Sequence, residues 1–418
     1  MKYMDKKMMF STLMAWKLVL SAHALSLDEA RRMAHDNYPA IKQYELIERS
    51  REFTLDNAAK GWLPKVSASA GVCAFTDILK RNDRMKQMGV SMENWMASGL
   101  VTLSQNVYDG GQIAAQKQVA AAQSDVQRQQ LDVTMYAVRE RIDQLYFGIL
   151  LIDGQLAQNE LLQNDLSTSE KTVRSMMKGG IANQSDLDAI LVEKLKATQQ
   201  KEALKVSRKA YLRMLGVFVG KDLGKDERLE KPSSLANKGD WGVNRPELQY
   251  YASQNLLLDA QRRQLDTKLR PTVSLFGMGM VHTQVSDFLN AGVLMGGVSV
   301  AWNIGALYTR KNDIRKLEVQ RAMNDSQREA FLFNNLLQNE EAVSNVASLR
   351  RQIAQDEEIV RLRESIRSKG DRKVQLGTES VNELVRDINA VSMARAQKVQ
   401  HEIELLREIH KQKTINNE

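Results

Sequence analysis

The stretch VTLSQNVYDGGQIAAQKQVAAAQ, residues 101–123, changes its periodicity halfway. Up to Tyr108 it alternates as a strand does, with Val101, Leu103 and Val107 on one side and Thr102, Ser104 and Asn106 on the other. After Gly110 and Gly111 it becomes a run of Gln, Ala and Lys suited to a helix. A strand feeding straight into a long polar helix needs an architecture that uses both.

Composition narrows the choice. The 418 residues include 43% apolar side chains but only 6% aromatic ones and five prolines, which favours long uninterrupted helices. A formal charge of +8 is spread over interleaved Lys, Arg, Asp and Glu without a compact basic cluster, so nucleic acid is not an expected partner. The single cysteine, Cys73, excludes an intrachain disulfide and a Cys-based zinc site, and reads as a small strand residue. At the N-terminus, Lys2, Lys6 and Lys7 precede an apolar run interrupted by Lys17, followed by the small-x-small site Ala22-His23-Ala24. Residues 1–24 therefore read as a signal peptide, and the mature chain is expected to begin at Leu25 outside the cytoplasm. No later segment is apolar and long enough for a transmembrane helix.

The chain reads as two copies of one plan. Pro39 with Pro246 and Pro64 with Pro271 are both 207 positions apart, with NYPAI matching NRPEL and LPKVS matching RPTVS. Further on the offset is 197: VTLSQNV at 101–107 aligns with VSVAWNI at 298–304, and GIANQSDL at 180–187 with GTESVNEL at 377–384. The difference places an insertion within 76–97, an expected exposed loop. Each copy predicts a proline-started helix (39–60 and 246–269), a strand (64–75 and 271–282), a second strand (98–108 and 295–304), a very long helix (112–177 and 307–370) and a returning helix (184–215 and 381–412). At about 1.5 Å per residue the first long helix approaches 100 Å, too long to wrap an ordinary core. The expected divisions are a first repeat 25–216, a linker 217–244, a second repeat 245–412 and a tail 413–418.

The last strand of the second copy is expected to place Val298, Val300, Trp302 and Ile304 on one face and Ser299, Ala301 and Asn303 on the other. This is the dyad pattern of a membrane β-barrel wall, which a soluble sandwich strand also shows. Four strands are too few to close a barrel with an interior, and open edges are not tolerated in lipid. A membrane-spanning protomer must therefore complete its barrel with copies of itself. In the first long helix Leu131, Val138, Ile142, Leu145 and Ile149 form a narrow seam that fits either an antiparallel coiled coil or a helical tube. The strands separate these, because a coiled-coil scaffold has no use for them.

The start LSLDEARRMAHDNYPAI, the LPKVS and RPTVS openings, the YDGGQ junction and the paired helical hairpins resemble the TolC-like outer membrane efflux protein family over residues 25–412. The resemblance implies an α+β fold: a trimeric outer-membrane β-barrel with four strands per protomer, continued by a long periplasmic α-helical barrel. It implies an exit duct for a tripartite efflux pump or a type I secretion system. The partners would be two further copies, a periplasmic adaptor protein, an inner-membrane efflux or ABC transporter, and outer membrane lipid. Such a duct needs no cofactor, no metal and no catalytic residue.

Candidate sites lie at the two helix breaks. Gly180 and Gly377 suit left-handed helix ends, SVNE at 380–383 is a capping box and NQSD at 183–186 its near equivalent. Asp186 and Glu383 thus read as helix-start carboxylates, while the resemblance implies an acidic ring round the pore; both readings hold together. Where the family often uses a gating Tyr and Arg, this chain has Val374 and Glu379. Arg372, Lys373 and Arg386, pairing with Asp186, Asp188 or Asp387, are the expected substitute latch. Gly180, Leu187, Gly377 and Leu384 are the expected adaptor contacts, or else they pack within the tip. HEIEL at 401–405 lacks the second His of a zinc protease helix, and GMG at 277–279 lies in a strand rather than before a helix, so enzyme motifs are absent. The alternative reading is a non-pore α-helical scaffold of the periplasm or cell surface.

Overall fold

A computed structural model describes residues 24–74, 95–224, 227–233, 243–283 and 292–417. The expected signal peptide, except Ala24, and the loop insertion up to residue 94 lie outside the described residues. The chain runs through helices α1 (Leu27–Asn37) and α2 (Lys42–Ala59), strands β1 (Lys65–Ala74) and β2 (Trp95–Tyr108), and helices α3 (Gln112–Lys178) and α4 (Gln184–Val219). It continues with α5 (Pro246–Thr267), β3 (Thr272–Thr283), β4 (Gly292–Ala301), α6 (Ala306–Gln375) and α7 (Val381–Asn416). Two compact units form: Lys42–Leu131 with Pro246–Ala330, and Met1–Ile41 with Asp132–Arg245 and Phe331–Glu418.

The first of these units holds one antiparallel sheet in the order β1-β2-β3-β4. Period-2 alternation sorts its residues sharply. Register places Val66 and Val72 of β1 on one face with Val101 and Leu103 of β2, Leu275 and Val281 of β3, and Leu294, Val298 and Val300 of β4. These side chains are 45–92% exposed, an apolar surface far too open for contact with water. The opposite face carries Ser67, Ser69, Ser98, Thr102, Ser274 and Ser299, and Ser67 Oγ lies 2.6 Å from Thr102 Oγ1 across the β1–β2 pair. Trp95 at one end of β2 and Tyr108 at the other are both exposed, as is Trp302 just beyond β4. That distribution fits aromatic girdles flanking an apolar band.

Strand and helix meet through different chemistry at the two junctions. A bulge between Asn106 and Tyr108 ends the β2–β3 ladder. Asp109, 5% exposed, then accepts from Gly111 N at 2.8 Å through Oδ1 and from Ile113 N at 2.6 Å through Oδ2, satisfying two otherwise orphaned donors of α3. Asn106, the other turn-forming side chain at this junction, does not cap the helix; its amide donates to Gly61 O at 3.4 Å. Gly110 sits at φ +67, and a Cβ there would lie 2.8 Å from Arg270 Cβ, so glycine is required twice over. At the second junction β4 stops at Ala301, so Trp302 and Ile304 are not on the strand face as expected. Trp302 donates to Leu269 O at 2.9 Å, and short turns (Leu307 N to Ile304 O, 3.0 Å) lead into α6. The substitution Asp109→Ala is expected to cost about 1–2 kcal/mol; Asp109→Asn, which keeps one acceptor, should cost less. Denaturant midpoints of the two variants provide the measurement.

In the other unit, α1 forms because Ser26 Oγ caps Glu29 N at 3.2 Å and Asp28 and Glu29 occupy the first turn. Leu27, Ala30 and Ala34 pack on Ile142, Tyr146 and Ile149 of α3 and Leu212 and Leu215 of α4. Arg31 is locked to α3 by Asp143, Nε to Oδ1 at 2.7 Å and Nη2 to Oδ2 at 2.6 Å, with both side chains about nine-tenths buried. The Tyr146 hydroxyl contacts Leu25 O at 2.7 Å and Glu230 O at 2.6 Å, tying the parallel Leu25–Leu229 bridge to α3.

Residues 413–416 belong to α7 rather than to a separate tail. The last carbonyls of α7 find donors: Tyr136 Oη and Arg245 Nη1 on Thr414 O, Asn335 Nδ2 on Ile415 O at 2.8 Å, and Asn244 N on Asn416 O at 3.1 Å. The helix end is docked, which is why Ile415 and Asn416 are buried. Nearby, His410 packs on Phe147 with neither ring nitrogen hydrogen-bonded. Burial, aided by Lys413 and Arg31, lowers its pKa from the ordinary 6.5. The folded chain thus keeps His410 neutral where the unfolded chain protonates it, and stability is expected to fall as pH drops below 6.5. Thermal unfolding of His410→Leu across that range should show a shallower acid-side loss than the parent.

Candidate gate and docking tips

Both helix breaks have one construction. After α3, Gly180 N donates to Met177 O at 3.1 Å and Ile181 N to Met176 O at 3.0 Å, with Gly180 at φ +72. After α6, Gly377 N donates to Val374 O at 3.0 Å and Thr378 N to Lys373 O at 2.9 Å, with Gly377 at φ +69. Each is a Schellman ending, which the left-handed glycine makes possible. Three residues later each chain enters a capping box, Asn183 with Asp186 and Ser380 with Glu383. The carboxylates bond the backbone N–H of Asn183 and Ser380 at 3.0 and 3.1 Å. Ser380's hydrogen bonds hold the Glu383 carboxyl below its ordinary range, with lesser help from Arg386 and Lys373.

Beneath the turns lies a core of Leu166, Val173, Leu187, Ile190, Val374, Leu384 and Ile388. Leu187 and Leu384, expected as adaptor knobs, are 4% and 2% exposed and are taken up in this core. The open apolar side chains of the tips are instead Ile181 and Leu376, at 58% and 77%. A Cβ on Gly377 would lie 3.7 Å from Ile181 Cγ2, so the two turns adjoin, while Gly180 has open space before it.

The expected latch is arranged differently. Arg372 and Arg386 make no ion pair within 4 Å among the described residues, and Asp188 accepts from Gln184 at 2.7 Å. Val374 is a core residue, and Glu379 lies 3.7 Å from Lys373. A ring of polar links instead ties the four helices in turn. Asp165 of α3 meets Arg367 of α6 at 2.7 Å, Glu364 of α6 meets Arg395 of α7 at 2.5 Å, Asn389 of α7 meets Glu193 of α4 at 3.0 Å, and Lys194 of α4 meets Glu170 of α3 at 2.9 Å. Burial raises the Asp371 pKa, and Asp165 and Asp387 add to the effect against the opposing charge of Arg367. None of these links has a local sequence signal, since Asp165 and Arg367 are 202 positions apart on helices rich in charge.

Among the described residues no group of three or more His, Cys, Asp or Glu side chains is arranged to hold a metal ion, and no helix is long and apolar enough to cross a membrane. No family model matches the sequence, and no curated protein matches it. Solved structures do match. The outer-membrane channel OprN superposes with TM-score 0.72 at 14% identity over 93% of this chain and 89% of that one. The CmeC outer membrane channel of Campylobacter jejuni gives 0.68 at 12% over 93% and 85%, and the MtrE outer membrane channel of Neisseria gonorrhoeae 0.66 at 12% over 93% and 88%. The chain has the fold of these TolC-type channels, as its sequence resemblance led one to expect.

Proposed function

We propose that this chain is the outer membrane exit duct of a tripartite efflux pump or type I secretion system, acting as a homotrimer. The observation that carries the reading is the sheet. One face is apolar and open, the other is rich in hydroxyls, and β1 and β4 are edge strands. In lipid an open edge leaves backbone groups unsatisfied, so β4 of one copy pairs with β1 of the next until three protomers close a twelve-stranded barrel. Its apolar face meets lipid and its hydroxyl face lines the passage.

The helices lie in the periplasm, where the tips meet an adaptor protein coupled to an inner-membrane transporter. Gly180 and Gly377 allow close backbone approach there, and Ile181 and Leu376 replace Leu187 and Leu384 as the apolar contacts. Threefold repetition of Asp186 and Glu383 concentrates negative charge about the axis although each carboxylate also caps its own helix. The polar ring through Asp165 and Arg367 stiffens each protomer tip against opening. No step of this function calls for catalysis.

Membrane fractionation followed by gel electrophoresis with and without heating tests the reading. A heat-sensitive trimer in the outer membrane is the expected result; a soluble monomer would overturn it and favour the scaffold.

A further inference from the structure

The hydroxyl-bearing face of the sheet also collects its sulfur. Met278, Met280, Met295 and Cys73 lie on it, and of the sheet residues whose side chains are described no methionine or cysteine lies on the apolar face. Leu100, Phe276 and Val293 share this face, so the argument rests on how the methionines are placed relative to one another. Met278 is the direct cross-strand partner of Met295, and Met280 follows on the same side of β3. Direct cross-strand neighbours have Cβ atoms about 5 Å apart and diagonal ones about 7–8 Å, within reach of long side chains. Each thioether has three rotatable bonds with which to converge.

Neighbouring residues favour such use. The alternation GMGM at 277–280 puts glycine, not a bulky group, on the reverse side of each step. Phe276 on the same face leans over Gly297, whose Cβ would lie 3.1 Å from the ring, and bounds the methionines on the side toward the helices. The four strands contain no Asp or Glu. A hard cation such as Mg²⁺ or Ca²⁺ finds no carboxylate there, whereas uncharged thioethers suit soft monovalent ions.

We propose that Met278, Met280 and Met295 form a binding site for Cu(I) or Ag(I). The site rests on the duct reading only for its position in the passage, where a three-thioether site without charge binds a soft ion in transit rather than as a resident. The cargo would then include a soft monovalent metal cation.

The test is a calorimetric titration of the purified full chain in detergent with Ag(I), which needs no reductant, in a Cys73→Ser background to silence the thiol. About one Ag(I) per chain is expected. The triple variant Met278→Leu, Met280→Leu, Met295→Leu, close in volume and apolarity, should bind at least about tenfold more weakly. Equal binding by the two proteins, or none by the Cys73→Ser parent, would overturn the site. Unheated gels of the same samples read the trimer independently. A trimer that ignores Ag(I) sinks only the metal site, and a monomer whose Ag(I) binding depends on the three methionines sinks only the duct.

Discussion

Arginine in place of Val101 is expected to keep the protein from assembling in the outer membrane, while arginine in place of Leu100 leaves assembly intact. Val101 lies midway along β2 on the apolar face and is 51% exposed; Leu100 is its half-buried neighbour on the hydroxyl face. Both substitutions exchange an aliphatic side chain for the same cation in the same strand, so β-propensity and loss of apolar area nearly cancel between them. The remaining difference is what the cation meets. A lipid-facing Arg at the bilayer midplane costs about 2–4 kcal/mol, and a trimer carries the cost three times. A lumen-facing Arg meets water and acts on conductance and ion selectivity instead. The heat-sensitive trimer band and single-channel recordings separate the two outcomes. Equal loss of trimer in both variants would mean that the sheet does not face lipid on the side assigned here.

What could be read from sequence follows from the range of the interactions involved. Strand alternation, the glycine ends at 180 and 377 and the capping box at 380–383 depend on neighbours a few residues away, and strands and helices came out within a few residues of expectation. Helix α1 had a readable signal that went unused: SLDE at 26–29 has the Ser-x-x-Glu form of a helix start, and Ser26 caps it. The Asp109 cap was hidden by a different cause. Both Asn106 and Asp109 are turn formers, and only the bulge at residue 107 decides which of them sits at the helix start. The ring through Asp165, Glu364, Arg367 and Arg395 could not be read at all. Those helices carry charge on many faces, and which charges meet depends on how four of them pack. Burial of Leu187 and Leu384 was likewise undecidable locally, because a leucine one turn into a helix suits a core and a docking surface equally.

Replacing Arg31 with methionine is expected to destabilise the α1–α3–α4 unit by about 3–5 kcal/mol, the cost typical of leaving one member of a buried ion pair uncompensated. The geometry explains why so much rests on one residue. Asp143 is 7% exposed and takes two charge-assisted hydrogen bonds from the Arg31 guanidinium; its other neighbour, Thr414 Oγ1, is at 3.4 Å, too long to replace them. Burial itself works against the Arg31 charge, yet the Asp143 hydrogen bonds and charge prevail and raise its pKa, so the pair and not the isolated cation is what this environment favours. The sharper expectation concerns the double variant. Arg31→Met with Asp143→Leu removes both charges and substitutes apolar volume, and buried pairs exchanged in this way are often neutral or even stabilised. Denaturant midpoints should therefore rank the double variant near the parent and both single variants well below it. If Arg31→Met and the double variant unfold together, the loss comes from packing of the arginine stem against α1 and α3 and not from an orphaned carboxylate. That outcome would place the hold on α1 in the contacts of Leu27, Ala30 and Ala34 with α3 and α4, which the double variant leaves in place.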